Sequence, residues 1–323
     1  MQIFYENASE IDKLASQLAT CQSDAHCKAI MILAADGNQY AEKALSELLQ
    51  NLKIPVFGGI FPGIMFENKV YDKGFVLVGF ETEVHVEILP KISKKCTGSH
   101  ILFKSNESVA ENTKTIFAFV DGLTSGINDF INTLFINFGL EINYIGGGAG
   151  SLSLKQQPCV ITNKGLLQDA AVIAATDLHS GIGVKHGWDS IAGPFKVTDV
   201  DGNLIKSLDY KPAAEVYKSV VESFSGSKID DANFFSIAKS FPFGINKYDS
   251  EFVVRDPIAI VENNHLKCVA EVEKGAFLNI LHGKNETLIQ AAGEAIRFAN
   301  LNNRRRNGDF TMFIDCISRS LLL

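Results

Sequence analysis

An internal repeat constrains this chain more than any other feature of its sequence. Ala29-Ile30-Met31-Ile32-Leu33-Ala34 is followed by Asp36-Gly37, and Thr115-Ile116-Phe117-Ala118-Phe119-Val120 by Asp121-Gly122. Each apolar run has the length and β-branched or aromatic content of a strand covered on both faces. Apolar residues at 41, 44, 45, 48, 49 and 52 then answer those at 127, 130, 131, 134, 135 and 138, 86 positions on. That i, i+3, i+4, i+7 spacing marks one buried helical face in each copy. Second strands follow, Ile54 to Phe57 and Ile142 to Ile145. Both run into glycines expected to form turns, Gly58-Gly59-Ile60-Phe61-Pro62-Gly63 and Gly146-Gly147-Gly148-Ala149-Gly150. Strand-like runs at Phe75 to Phe80 with Val84 to Leu89, and Ala170 to Ala175 with Ser180 to Val184, complete the pattern. The copies are therefore 29–89 and 115–184, each a β-α-β-β unit. The fold class that follows is α/β (mixed α+β): a layered sandwich of mixed sheets flanked by helices.

The repeat ends near residue 190, which places a first domain at 1–190 and a second at 191–323. In the second, Phe195 to Val200 and Leu204 to Leu208 flank Asp201-Gly202-Asn203, residues that tolerate a tight hairpin turn. A helix is expected from Pro212, strands over Glu251 to Val261, Leu266 to Val272 and Ala276 to Leu281, then a long helix from Glu286 to Asn303. Phe310 to Cys316 reads as a last strand, and the apolar end Leu321-Leu322-Leu323 directly after it suggests that the chain is truncated.

Charge and cysteine usage restrict the partners. With 30 basic and 37 acidic residues the net charge is −7, which gives nucleic acid and anionic membrane no general attraction. The run Arg304-Arg305-Arg306 reads as a solvated helix end. No apolar stretch reaches the roughly 18 residues of a membrane span, and the first residues lack a secretory signal, so a cytoplasmic protein is expected. Six scattered cysteines without a C-x-x-C spacing fit buried thiols in a reducing compartment. Cys21, His26 and Cys27 alone lack the second pair that a structural zinc site needs.

The second half also resembles a known family. Lys185-His186-Gly187-Trp188, Val197-Thr198, Asp201-Gly202-Asn203, Leu208-Asp209 and Pro212-Ala213 are similar to the opening of the FIST C-terminal domain. Val254-Arg255-Asp256-Pro257 and Phe313-Ile314-Asp315-Cys316-Ile317-Ser318-Arg319 resemble two later landmarks of that domain, and the glycine stretches at 58–59 and 146–150 those of the FIST N-terminal domain. The resemblance implies a non-enzymatic sensory module for small ligands in bacterial signal transduction, with a histidine kinase or a cyclic-dinucleotide signalling protein as partner. One branch of the family implies a haem cofactor and nitric-oxide sensing. A haem-free module for a small metabolite such as an amino acid is the alternative.

Candidate site residues follow from these landmarks. Gly58, Gly59, Gly146 and Gly147 offer exposed backbone to a ligand, with close strand packing as the other reading. Neither stretch has the G-x-G-x-x-G spacing or opens a helix, so dinucleotide binding is not expected. His186 and Trp188 supply an axial nitrogen and a flat packing partner for a haem, with His26 and Cys27 as a second ligand pair. The competing reading is a buried, hydrogen-bonded His186; His179 is a weaker candidate. The ligand site is expected between the two domains, where clefts form. Asp36 and Asp121 occupy equivalent strand ends, suited to an acid–base pair or to turns and caps. Ser125 lacks the context of a nucleophile elbow.

Overall fold

A computed structural model describes residues 1–94, 102, 107–246, 251–303 and 310–323. It separates into two compact units, Met1–Ser180 with Asn303–Ile314, and Gly181–Asn302 with Asp315–Leu323. The run Arg304-Arg305-Arg306 and Cys96 lie outside the described residues.

The first unit holds two sheets. β1 (Gln2–Glu6), α1 (Ile11–Ser23), β2 (Ala29–Ala35), α2 (Glu42–Gln50), β3 (Val56–Phe61), the hairpin β4 (Ile64–Phe66) and β5 (Lys69–Tyr71), and β6 (Phe75–Phe80) form the first copy. β7 (His85–Pro90), α3 (Glu107–Asn112), β8 (Thr115–Asp121), α4 (Ile127–Phe138), β9 (Asn143–Ala149), the hairpin β10 (Val160–Thr162) and β11 (Gly165–Leu167), and β12 (Ala170–Thr176) form the second. Strand orders β1-β6-β2-β3 and β7-β12-β8-β9 are the same, with β2–β3 and β8–β9 parallel and the rest antiparallel. The repeat is therefore real, but its frame begins one strand earlier than expected. Val84 to Leu89 does not close the first copy; as β7 it opens the second, as β1 opens the first. Ser180 to Val184 forms no strand. There, a Cβ on Gly183 would stand 1.9 Å from the Ala295 carbonyl oxygen, so the backbone is pressed against a helix instead of a sheet.

Alternation along the strands builds the layers. Phe117 and Phe119 of β8 and Val172 and Ala174 of β12 share a core with Phe57, Met31 and Phe80 of the first sheet. Ile116, Val120, Ala171 and Ile173 point the opposite way, onto Val109 of α3 and Phe130 and Leu134 of α4. Leu14 and Leu18 of α1 and Leu45 and Leu49 of α2 cover the first sheet, which gives helix, sheet, sheet, helix. Phe57 meets Phe80, Phe117 and Phe119 at ring distances of 5.7, 5.9 and 6.4 Å. Each such ring contributes about 2–3 kcal/mol by burial, an upper figure for a chain that is partly compact when unfolded. β10 then adds to the edge of β3, placing Val160 and Ile161 opposite Gly59 and Gly58.

The second unit is one long curled sheet, in the order β17-β16-β20-β13-β14-β19-β18. β13 (Trp188–Asp201) pairs through its first part with β20 (Phe277–Gly283) and through its last part with β14 (Leu204–Leu208), with register shifts between. β15 (Lys211–Pro212) leads into α5 (Ala213–Ser225), and α6 (Phe234–Ala238) precedes β16 (Phe243–Ile245). The stretch expected as one strand from 251 to 261 is two, β17 (Val253–Arg255) and β18 (Pro257–Val261), because Asp256 breaks the ladder. β19 is His265–Cys268 and α7 is Asn285–Asn302. Tyr217 of α5 is fully buried and donates to the Phe241 carbonyl at 2.8 Å. Phe310 to Cys316 is not a strand: no ladder forms there, Phe310 packs on Phe80, and the chain enters helix α8 (Ile317–Leu322). No helix among the described residues is long and apolar enough to cross a membrane.

Candidate functional site

The carboxyl ends of parallel strands are where sheets of this kind present backbone and side chains to ligands. In the first unit these ends carry the two repeat-related aspartates, Asp36 after β2 and Asp121 at the end of β8. One segment, 150–159, reaches both. Ser151 Oγ donates to Asp36 Oδ2 at 2.6 Å and Gln157 Nε2 to Asp36 Oδ1 at 3.1 Å. Gln156 Nε2 donates to Asp121 Oδ2 at 2.8 Å, as does the Asp169 backbone N–H at 2.8 Å. The Leu123 N–H closes a local turn on Asp121 Oδ1 at 3.1 Å. Asp36 therefore caps nothing; its carboxylate reaches across 115 residues of sequence to Ser151.

Every one of these donors is neutral. Among the described residues, no lysine or arginine pairs with either aspartate. The uncompensated charge registers on Cys159, a buried thiol whose pKa is pushed far up by burial first and then by Asp121 and Asp36. Such a thiol is inert at neutral pH. A further polar group extends from Asp121. Asp169 takes hydrogen bonds from Ser93 Oγ at 2.6 Å and Thr124 Oγ1 at 2.5 Å. Burial raises its carboxyl, but these bonds outweigh that and hold it below the ordinary value.

The four glycines named from sequence lie inside strands, Gly58 and Gly59 in β3 and Gly146 and Gly147 in β9, and not in turns. Gly58 and Gly146 are structural equivalents. Their φ values are 146° and 153°, and a Cβ would stand 1.9 Å from the Ile32 carbonyl oxygen or 1.8 Å from that of Ala118. Gly59 lets the sheets approach: its Cβ would lie 2.9 Å from the Ala149 Cβ. Gly147 is the least constrained, with only Ile314 Cγ2 at 3.8 Å from a Cβ placed there.

His186 and Trp188 belong to the second unit, where both ring nitrogens of the histidine are engaged. Nδ1 accepts the Trp188 amide proton at 2.9 Å, which leaves the ring proton on Nε2, 3.0 Å from Glu251 Oε2. Burial depresses the imidazole pKa, against the pull of Glu251. Burial raises the Glu251 carboxyl, but its bonds to Lys185 and His186 outweigh this and hold it below the ordinary range. Trp188 is 4% exposed, packed among Leu281, Leu288, Phe252, Val254 and Leu322. A Cβ on Gly283 would stand 2.7 Å from its ring. Neither nitrogen is free for iron and neither ring face is free for a porphyrin, so these residues do not fit a haem in this arrangement.

His26 and Cys27 precede β2 in the first unit. His26 is exposed and held through its own amide by Asp24 Oδ1 at 2.9 Å. Cys27 is buried, its Sγ 3.6 Å from the Ala29 carbonyl, and its thiol pKa is raised by burial. Cys21 is likewise buried and pushed up to about 11 by burial and by Cys27. Among the described residues no three His, Cys, Asp or Glu side chains gather as a metal site.

Reading the sequence assigned Asp36 and Asp121 mainly to turns and missed Ser151, Gln156, Gln157, Cys159 and Asp169. The available signal was the repeat itself. Two carboxylates at equivalent strand ends precede a polar stretch, Ser151 to Gln157, with no counterpart in the first copy.

In the second unit, Asp256 of one later landmark meets Ser318 of the other. Ser318 Oγ donates to Asp256 Oδ2 at 2.5 Å, while Arg319 bonds Asp315 Oδ1 at 2.5 Å and the Leu288 carbonyl at 3.4 Å. No curated protein and no solved structure shows a significant match to the chain. Family models do match, the FIST N domain over residues 28–211 and the FIST C domain over residues 213–323. Together they cover the chain from residue 28 to its last residue but for residue 212, so this chain belongs to the FIST family of signal-transduction sensing and ligand-binding domains.

Proposed function

We propose that this chain is a haem-free sensory module that binds a small metabolite carrying an ammonium group, of the amino-acid class, at Asp36 and Asp121. The observation that carries this reading is that two repeat-related carboxylates are held by one segment through neutral donors alone. An ammonium presents charged N–H donors to the same oxygens. The bonds from Ser151, Gln156 and Gln157 already end on ionised oxygens; what an ammonium adds is the attraction of a full positive charge for the carboxylates. A cationic ligand competes with Ser151, Gln156 and Gln157 for these oxygens, and the freed segment 150–157 becomes the changed surface. A partner signalling protein, a histidine kinase or a cyclic-dinucleotide protein, reads that change. The ligand shifts the segment only by its differential affinity for the two states.

Isothermal titration of the full chain with a panel of amino acids and amines tests the reading. Saturable binding to the wild type that is lost in both Asp36→Asn and Asp121→Asn supports it. Binding that survives in both variants refutes the assignment of the site. The haem reading is separated by the absorption spectrum of freshly purified protein incubated with haem. A sharp Soret band that shifts with nitric oxide would overturn the haem-free proposal.

A further inference from the structure

Asp256 stands where the ladder breaks between β17 and β18. Its backbone is satisfied, since the Val269 N–H donates to its carbonyl at 2.8 Å. Its side chain is only half satisfied: Oδ2 accepts the Ser318 hydroxyl, whereas Oδ1 is buried and has no hydrogen-bond partner.

The groups around it do little to compensate a charge. Arg255 on β17 directs Nε to the Glu271 carbonyl at 3.1 Å and Nη1 to the Val254 carbonyl at 3.0 Å, and among the described residues it forms no ion pair. Glu271 adds a second negative charge near Arg255. Cys268 of β19 and Tyr217 of α5 are fully buried, and burial first of all keeps both protonated. Cys316 Sγ lies 3.2 Å from the Ser318 hydroxyl, and Arg319 is bonded to Asp315. Burial raises the Asp256 carboxyl, against the Ser318 bond and the Arg255 charge. A buried oxygen without a donor is tolerated on a neutral acid and strongly disfavoured on a carboxylate.

Most elements that meet Asp256 are fixed in place. β17, β18 and β19 are held by ladders, and α5 by the core around Tyr217. α8 is six residues long and joins no ladder; Ser318 ties it to Asp256, Arg319 to the Leu288 carbonyl, and the Leu321 carbonyl to Lys239 Nζ at 3.0 Å. Its Leu322 packs on the cluster of Trp188, Leu281 and Leu288.

We infer that α8 is a cover on the Trp188 cluster, closed while Asp256 keeps its proton and opened when that proton is lost. Hydrating the carboxylate requires displacing a neighbour, and the short helix is the neighbour that moves most easily. Closure is therefore complete below the ordinary carboxyl value of 3.8 and is lost as pH rises through the raised value of the closed form. His186, which accepts the Trp188 amide proton, works in the opposite direction, because its contribution is lost as pH falls.

Trp188 is the single tryptophan, so its fluorescence reports the cover directly. The full chain is titrated from about pH 4 to pH 8, a range that spans raised carboxyl values. The wild-type emission is expected to shift to the red and to become several-fold more open to acrylamide quenching as pH rises, at constant far-UV circular dichroism. Asp256→Asn, isosteric and unable to ionise, is expected to remove that shift. Should Asp256→Asn fail to fold, hydrogen exchange in the wild type decides: corrected for the intrinsic rate, amides of 317–322 lose protection over the same rise in pH while those of β13 and β20 keep theirs. A wild-type emission that does not move with pH, a shift that persists in folded Asp256→Asn, or unchanged protection in 317–322 overturns the inference.

Discussion

Gly146 and Gly147 are neighbours in one glycine run, yet alanine at the two positions is expected to give opposite outcomes. A Cβ at Gly146 would overlap the Ala118 carbonyl oxygen at 1.8 Å, and that oxygen belongs to the backbone of the adjacent strand β8 and cannot swing away. The residue also sits at φ 153°, a region that L-residues occupy at a cost of order 1–3 kcal/mol. Forcing the strands apart adds about 1–3 kcal/mol of overpacking. The sum predicts a loss of about 4 kcal/mol for Gly146→Ala. At Gly147 the new methyl meets only Ile314 Cγ2 at 3.8 Å, an ordinary contact. Gly147→Ala should therefore stay within about 0.5 kcal/mol of the wild type. For a unit of this size, 4 kcal/mol is a fall of roughly 10 °C in Tm. Far-UV circular dichroism is the suitable probe, because the single tryptophan, Trp188, lies in the second unit. Equal shifts for the two substitutions would refute the reasoning, and Gly58→Ala should repeat the Gly146 result.

Three further outcomes are expected. Trp188→Ala removes a nearly fully buried ring and should cost about 3–5 kcal/mol in denaturant unfolding followed by circular dichroism; a cost below 1 kcal/mol would show that the ring is not a packing anchor. The folded His186 titrates below its ordinary value of 6.5, so the unfolded chain takes up the proton first as pH falls. Its contribution is complete above pH 6.5 and declines from there down through the depressed folded value; His186→Gln should flatten this part of the stability–pH curve, and an unaltered slope would exclude His186 as its source. Ser151→Ala with Gln157→Ala removes both tethers on Asp36 and should speed hydrogen exchange in 151–157 while changing Tm little; unchanged exchange would show that these bonds do not hold the segment.

Periodicity alone determined a good deal of this protein. The apolar runs at 29–34 and 115–120, their matched helices and the constant spacing between them are local patterns, and a pattern that recurs in register must build the same unit twice. Mixed sheets flanked by helices followed directly, as did β14 at Leu204 to Leu208. Which side of the helix stays bare did not follow. Leu45 and Ile131 hold equivalent positions in sequence, yet Leu45 is fully buried in the core of the first sheet while Ile131 is 41% exposed beside the sheet-facing Phe130 and Leu134. Glycine runs read as turns because glycine permits turns, yet at Gly58 and Gly146 its role is to let a neighbouring carbonyl approach inside a sheet, a requirement set by the partner strand. The same limit applies to the site. Asp36, Asp121, Ser151 and Gln156 are far apart in sequence, and hydrogen bonds between them exist only once two strand ends and one loop are brought together. His186 looked available to a ligand because its sequence neighbours are small or flat; tertiary packing assigned both its nitrogens to Trp188 and Glu251. Local sequence sets which surfaces an element must bury, while the partner that buries them is decided by chain segments whose distance no periodicity encodes.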